Sequence, residues 1–546
     1  MIYDQLCAAE KRRRRSRGIL PQPARRIMIN ERVCEGCGDC VQQANCVSLL
    51  PVDTDFGAKT RVHQSSCNAD YTCTWGDCPS FVSVEIEPGS GLRRKPLPDL
   101  PDLALPEPPS KAVAGDGYHI LMPGVGGTGV VTINALLATA AQIDGLQAIT
   151  LDQTGVAQKG GAVVAHITIS ESAIEASQRI PAGSADLLLG FDLVGAAYPK
   201  NLQCCDSQRT VALVNSKEIL TGEAIRKGLT VLSPDGAYAE AIRNGTRRAD
   251  SEFVDASTLA ETLFGGHIFS NMLLLGAAYQ KGLLPMSFEA IETAIRLNGV
   301  AVERNLEVFA WGRQYVCDPT ALQSYLPAVA TGSVPQSLDA LIESRESELT
   351  AYQSASYASA YRAYVETVRQ VESRVRAGSE SLTRAVAWNL HKLMAYKDEY
   401  EVARLLIDPS FDDVVGQTFD RPRRLVYHLH PPLLRRLGIK RKLAFGPWIR
   451  PLLRVLARGK VLRGTPLDPF GWMAARRQER ELVSWYRELV DGLLAGLDAR
   501  TLAAAIEIAD VPREIRGYED VKAASVERAK AWVAERLAAV PVREAA

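Results

Sequence analysis

Tyr118-His119-Ile120-Leu121-Met122-Pro123-Gly124-Val125-Gly126-Gly127-Thr128-Gly129 runs from an apolar strand into a glycine turn, and Val130 to Gln142 continues as an alanine-rich helix. Strand, glycine loop and helix in that order open an α/β unit. Gln147 to Leu151 reads as a second strand ending at Asp152, and further strands are expected at Ala162 to Ile169, Leu187 to Phe191, Val211 to Asn215 and Leu229 to Leu232. Strands alternating with helices predict a mostly parallel sheet covered on both faces. From about Phe269 to Trp311 the period is helical.

Gly124-x-Gly126-x-x-Gly129 followed about 20 residues later by Asp152 has the form of a dinucleotide fingerprint. Glycines let the backbone approach a phosphate, and a helix N-terminus favours the negative charge. The same turn also serves simply to pack a helix on a strand. Thr154-Gly155-Val156-Ala157-Gln158-Lys159-Gly160-Gly161 adds a second glycine-bearing stretch at the carboxyl edge of the sheet, where open α/β sheets bind ligands. Gly124, Gly126, Gly127, Gly129, Gln158, Gly160 and Gly161 are therefore the candidate ligand contacts. An NAD-linked reading, with Asp152 on the ribose, stands as an alternative.

Upstream, seven of the eleven cysteines fall between residues 34 and 78. Cys34-x2-Cys37-x2-Cys40 is followed by Cys46, then by Cys67-x5-Cys73-x4-Cys78-Pro79. Bacterial ferredoxins hold a cubane with three closely spaced thiolates and a fourth from the other motif, beside a proline. So read, Cys34, Cys37, Cys40 and Cys78 hold one cluster, and Cys46, Cys67 and Cys73 hold a second that lacks one thiolate. Asp70 stands where that ligand belongs, so the second cluster is expected to be aspartate-ligated or one iron short. Asp70 as ordinary turn material is the competing reading. Zinc and a disulfide framework are the alternatives for the cysteines, but zinc sites use paired Cys-x2-Cys units and disulfide frameworks belong to secreted chains. Cys7, Cys204, Cys205 and Cys317 show no metal spacing.

A chain of 546 residues is long enough for three or four domains. Its 63 basic and 63 acidic residues cancel, so no global charge steers it to nucleic acid or membrane. The longest apolar stretch, around Met272 to Tyr279, is too short to span a bilayer. Free thiols and clusters suit a reducing, cytoplasmic setting. Charge is unevenly placed, however. Residues 11–26 are strongly basic, and residues 421–480 carry sixteen Lys or Arg against Asp468 and Glu479. The second segment reads either as a face for an acidic electron carrier or a phosphorylated cofactor, or as cations paired with acids elsewhere in the fold. Residues 88–115 are rich in proline and form an extended linker. Beyond Pro335 the pattern is almost wholly helical, at Ala351 to Val375, Leu382 to Leu406, Glu481 to Leu497 and Val521 to Val540, with a looser insertion over 408–472. Trp388, Trp448, Trp472, Trp485 and Trp532 read as core anchors.

Gly124 to Val130 with Thr154 to Gly161 resembles the gamma domain of 2-oxoacid:ferredoxin oxidoreductases. Cys34 to Cys40, Ser66 to Cys73 and Cys78 to Val82 resemble the cluster segment of the long, single-chain indolepyruvate ferredoxin oxidoreductases, and the order of segments is similar too. The resemblance implies an α/β plus α chain: a tail over 1–30 like the end of a thiamine-binding domain, a ferredoxin-like iron–sulfur module over 31–87, the linker, a Rossmann-like gamma domain over 116–316 and a helical C-terminal domain over 335–546. It further implies oxidative decarboxylation of an aryl 2-oxoacid, with electrons leaving through [4Fe-4S] clusters (the second [4Fe-4S] or [3Fe-4S]) to ferredoxin. Coenzyme A is the implied occupant of the glycine loops, and a homo-oligomer the implied assembly. One feature departs from the family. Gly115-Asp116-Gly117 lies in the linker, and the next asparagine, Asn134, lies inside the helix after the glycine loop, so this is not the site for thiamine diphosphate and Mg2+. Those cofactors are expected on a partner portion, with this chain as the C-terminal half of a split or longer enzyme.

Overall fold

The computed structural model describes residues 6, 10–11, 14–15, 18–93, 105–109, 113, 117–155, 161–175, 177–220, 225, 227–229, 236–323, 337–431 and 441–539. The chain forms two compact units, one built mainly from residues 92–225 and 229–329, the other from 11–91 and 330–546.

The first unit is centred on a six-stranded sheet in the order Glu252–Val254, Val211–Asn215, Leu187–Gly190, Tyr118–Val125, Ala162–Ser170, Gln147–Thr154. Five strands run the same way and Ala162–Ser170 runs against its neighbours on both sides. The continuous apolar run at Tyr118 follows from burial on both faces. Ile120 and Met122 pack under the helices Val130–Ile143, Ser270–Gln280 and Phe288–Asn298, whereas Leu121 faces Ile180, Ala196 and Ile242. Two helices cross here by glycine. A Cβ on Gly276 would lie 2.1 Å from the Phe309 carbonyl oxygen, and one on Gly312 2.0 Å from that of Leu273. Part of the proline-rich segment lies on this unit, where Gln280 Nε2 donates to the Pro106 carbonyl at 2.7 Å. Residues 230–232 of the strand expected at Leu229 to Leu232 lie outside the described residues.

In the second unit one sheet pairs strands from residues 25–86 with strands from residues 422–445. Its order is Arg25–Ile29, Phe81–Ile86, Pro422–Leu429, Leu443–Phe445, antiparallel throughout. The insertion expected to be loose thus supplies two strands, and Pro422 is tolerated at the first position of its strand. The cysteine segment and the C-terminal helices consequently share a unit. The helix expected from Leu382 to Leu406 is broken into Ser381–Met394 and Glu399–Leu406, the second capped by Asp398, which accepts from the Glu401 N–H at 2.9 Å. Trp448, Trp472 and Trp532 are exposed instead of anchoring the core, at 67%, 71% and 37%.

Glu372 is fully buried at the start of Ser381–Met394. It accepts from the N–H groups of Leu382 and Thr383 at 3.0 and 2.8 Å and from the hydroxyls of Ser379 and Thr383 at 2.7 and 2.6 Å. Burial resists its charge, but these donors outweigh that and hold its carboxyl below the usual range. A depressed folded pKa stabilises above the unfolded value, about 4.3, and the contribution fades as pH falls through the folded pKa. Glu372→Gln is therefore expected to cost about 2 kcal/mol at pH 7, with the gap to wild type narrowing below about pH 4. Denaturant unfolding from pH 7 to 3 measures it; a gap independent of pH contradicts this assignment.

Candidate functional site

The two cysteine loops share one backbone. In Cys34-Glu35-Gly36-Cys37-Gly38-Asp39-Cys40, Gly36 and Gly38 have φ of 63° and 76°, and the Gly36 N–H donates to Cys34 Sγ at 3.3 Å. In Cys67-Asn68-Ala69-Asp70-Tyr71-Thr72-Cys73, the matching Ala69 and Tyr71 have φ of 54° and 67°, and the Ala69 N–H donates to Cys67 Sγ at 3.4 Å. Left-handed φ comes freely to glycine and at a cost to alanine and tyrosine, so the second loop is held in this shape by its surroundings. The middle position matches as well. Cys37 accepts from the Asp39 N–H, and Asp70 Oδ1 accepts from the Thr72 N–H at 3.1 Å. Asp70 occupies the place of Cys37, with its oxygen in the hydrogen-bond relation of the sulfur. It is exposed, and the Thr72 hydroxyl also donates to it at 2.9 Å.

The thiols fall into two groups by their mutual influence. Burial pushes Cys37 up to about 12 and Cys78 to about 11, with Cys34 adding to both and Cys78 adding to Cys37. Cys40 is raised by burial and by Cys34, Cys78 and Cys37. In the other group burial and Cys46 raise Cys67, while Cys73 reaches about 12 through burial, Cys67, Cys46 and Asp70. Cys40 also feels Cys73, so the groups adjoin there. The described cysteines are all free of disulfides. Four thiols that influence one another, and three more beside a carboxylate, are by their chemistry a donor set suited to a soft metal or cluster. The residues present fit the expected groups.

In the first unit, the glycine loop divides its work. A Cβ on Gly124 would lie 2.6 Å from Val130 Cγ2 and 3.1 Å from Phe191 Cβ, so this glycine packs helix against sheet. Gly127 and Gly129 have φ of 86° and 104°, and Gly129 caps the helix. The Gly126 N–H donates to the Gly161 carbonyl at 2.7 Å, which ties the two glycine stretches together. Gln158 and Gly160 lie outside the described residues. Asp152 is not placed as an NAD site requires. Ala162–Ser170 stands between its strand and the glycine-loop strand, and its carboxylate instead accepts from Asn134 Nδ2 at 2.9 Å.

Beside Gly124 opens a cleft of about 420 Å³, lined by Gln153, Thr154, His166, Arg179, Asp192 and Lys200 among others. His166 is buried, and neither ring nitrogen has a hydrogen-bond partner among the described residues. Burial, then Arg179, pulls its pKa down to about 4, so the ring is neutral at pH 7. Burial raises Asp192 to about 6 although the N–H groups of Gly195 and Ile219 donate to it. None of these four titratable residues was singled out in the sequence. They are scattered between positions 166 and 200 without a motif, and His166 sits inside a largely apolar strand.

Residues 119–315 match the family model described as pyruvate ferredoxin/flavodoxin oxidoreductase. The indolepyruvate oxidoreductase subunit IorB of Methanothermobacter thermautotrophicus is 30% identical over 201 residues, covering 36% of this chain and 95% of the relative. This chain belongs to the pyruvate ferredoxin/flavodoxin oxidoreductase family. A second member, IorB of Archaeoglobus fulgidus, is 28% identical over 197 residues, or 36% of this chain and 92% of its own. A solved gamma subunit of keto/oxoacid ferredoxin oxidoreductase from Geobacter sulfurreducens is 24% identical and covers 37% of this chain and 98% of its own, with a TM-score of 0.27. Outside the oxidoreductase match, residues 338–535 match a family of unknown function (DUF6537). Among the described residues, no helix is long and apolar enough to cross a membrane.

Proposed function

We propose that this chain is the electron-transfer and gamma portion of an indolepyruvate-type (aryl 2-oxoacid):ferredoxin oxidoreductase. The observation that carries the reading is the repeated cysteine loop, which groups Cys34, Cys37, Cys40 and Cys78 apart from Cys46, Cys67 and Cys73 and lies in a chain of the oxidoreductase family. The first group would hold a [4Fe-4S] cluster; the second, with Asp70, a [4Fe-4S] or [3Fe-4S] cluster. Bound clusters supply one-electron carriers. This chain's own part is to bury the sulfurs, to donate the Gly36 and Ala69 N–H groups to them, and to bring Cys40 near Cys73 so that electrons have a short path between groups. Two electrons leave the substrate per decarboxylation, on a partner portion holding thiamine diphosphate and Mg2+, and pass out to ferredoxin. The matched relatives are named as subunits, in keeping with such a partner. A homo-oligomer and a cytoplasmic, reducing setting complete the reading. Purified alone, the chain should fail to oxidise a 2-oxoacid with an artificial acceptor and should gain activity when a thiamine-binding partner is added. Turnover by the chain alone would sink the proposal.

Asp70 as fourth ligand makes a separate prediction. A carboxylate is a harder, weaker partner for a cluster than a thiolate, so this site should shed one iron on mild oxidation while the all-cysteine site keeps four. Asp70→Cys is expected to secure that iron and shift the potential of this cluster alone, read by spin resonance before and after oxidation. An unaltered three-iron signal in the variant returns Asp70 to the role of a turn residue.

The cleft beside Gly124 supports coenzyme A as the ligand of the gamma portion, since Arg179 and Lys200 offer cations and His166 a ring without a hydrogen-bond partner among the described residues. Arg179→Ala should weaken coenzyme A binding by about tenfold with thermal stability unchanged. Unchanged affinity measured by calorimetry places the ligand elsewhere.

A further inference from the structure

The loop that carries Cys34, Cys37 and Cys40 is gripped through its carbonyl groups by residues from far along the chain. The Val33 carbonyl accepts from the Tyr518 hydroxyl at 2.5 Å, and the Gly36 carbonyl from Arg516 Nη1 at 3.5 Å. Between them, Gly517 has φ of 107°, and a Cβ there would lie 3.4 Å from Cys37 Cβ. Left-handed backbone disfavours a side chain at this position, and an added Cβ would meet Val521 Cγ1 at 2.6 Å. The Cys34 carbonyl accepts from two ammonium groups, Lys59 at 2.7 Å and Lys397 at 3.2 Å. At the fourth cysteine, Lys442 Nζ donates to the Cys78 carbonyl at 2.9 Å and lies 4.9 Å from the centre of the Phe81 ring. Its charge is felt by Cys78, Cys73 and Cys40, so it stands where the two thiol groups adjoin.

Four cations thus contact this loop and Cys78. Glu35 pairs with Lys397 at 2.5 Å and the exposed Glu514 with Arg516 at 3.3 Å, and Asp77 lies near Lys442, so acids offset part of this charge. The second loop is held more lightly. Its Asn68 carbonyl accepts from Arg15 Nη1 at 2.8 Å, and Arg26 lies near Cys67. Lys397, Lys442, Arg516 and Tyr518 all belong to the segment 338–535 that matches a family of unknown function. A cluster that gains an electron becomes more negative, and fixed cations in a poorly hydrated surrounding favour that state.

We propose that the 338–535 region raises the reduction potential of the cluster held by Cys34, Cys37, Cys40 and Cys78 above that of its neighbour, making it the station on which electrons collect. This rests on the cluster assignment made above. The groups that act are Lys397, Lys442 and Arg516, through their charge, with Tyr518 fixing the loop that receives it. They are positioning residues for electron transfer and touch the ligating loop without ligating the cluster.

The test is a redox titration of the full chain, loaded anaerobically with iron and sulfide and followed by electron spin resonance, in wild type, Lys442→Met, Lys442→Arg and Arg516→Gln. In wild type the all-cysteine cluster should reduce before the other. Each neutral variant should keep its iron and lower the reduced-to-oxidised ratio of that cluster at a fixed potential by about tenfold, a shift of about 59 mV for one electron. Lys442→Arg should stay near wild type. Full iron with an unmoved potential in both neutral variants overturns the proposal. So does loss of iron from the first loop with no shift in what stays bound, which would make these residues a structural clamp. A wild-type chain that takes up no cluster fails at an earlier step and refutes the cluster assignment itself.

Discussion

Cys78→Ser is expected to strip one cluster and spare the other, so that anaerobically prepared protein loses about half of its iron. The partition of the thiols is the reason. Cys78 comes from the far end of the cysteine segment, yet its sulfur interacts with Cys34 and raises Cys37 and Cys40, not Cys67. A serine there leaves three thiolates on a loop whose cations were arranged for four. The neighbouring group keeps Cys46, Cys67, Cys73 and Asp70 untouched, so its spin-resonance signal should persist. Cys46→Ser should produce the reverse pattern. Loss of the second signal in Cys78→Ser, with the first retained, would show that the sulfurs are paired differently.

The second large effect concerns stability. Arg463→Met is expected to destabilise the 338–535 region by about 3–5 kcal/mol. Arg463 is buried, donates to both carboxylate oxygens of Asp398 at 2.6 and 2.8 Å, and also donates to the Tyr352 carbonyl and Gln353 Oε1 at 2.8 and 2.7 Å. Its guanidinium centre lies 3.7 Å from the centre of the Tyr352 ring. Methionine keeps much of the volume but leaves Asp398, 2% exposed, as an uncompensated buried charge at a helix cap. Breaking a buried pair from one side costs far more than exchanging both members. The double variant Arg463→Met/Asp398→Leu should accordingly recover a substantial part of the loss. Chemical denaturation of the three proteins measures this, and a single variant within about 1 kcal/mol of wild type contradicts the role given to the pair.

Arg463 also bears on the basic stretch at 421–480, which read equally well as a docking face and as internally paired charge. Arg424 pairs with Glu85, Arg450 with Asp412, Arg463 with Asp398 and Arg476 with Glu399. Those partners lie up to 339 residues away in sequence, so no local pattern announces them. The same distance hid the cations on the Cys34 loop and the strand Pro422–Leu429, whose arginines and proline mask its alternation. What local chemistry dictates was legible: the cysteine spacing, the strand at Tyr118, the strand at Val211 and the glycine loop with its helix. Strand order was not. The antiparallel insertion of Ala162–Ser170 is a matter of tertiary pairing, and it removes Asp152 from the glycine loop, where the fingerprint alone had put it. His166 was equally hidden, since a buried histidine in a largely apolar strand declares itself only once its neighbours are known.

Two cysteine loops of one backbone form are expected to hold two clusters, the second using Asp70 where the first uses Cys37. Iron and sulfide counting combined with electron spin resonance, on the full chain prepared without oxygen, tests it most directly. Two separately reducible clusters are expected, one of four irons throughout and one that converts to three irons on mild oxidation. A single cluster in fully loaded protein, or bound zinc in place of iron, would contradict it.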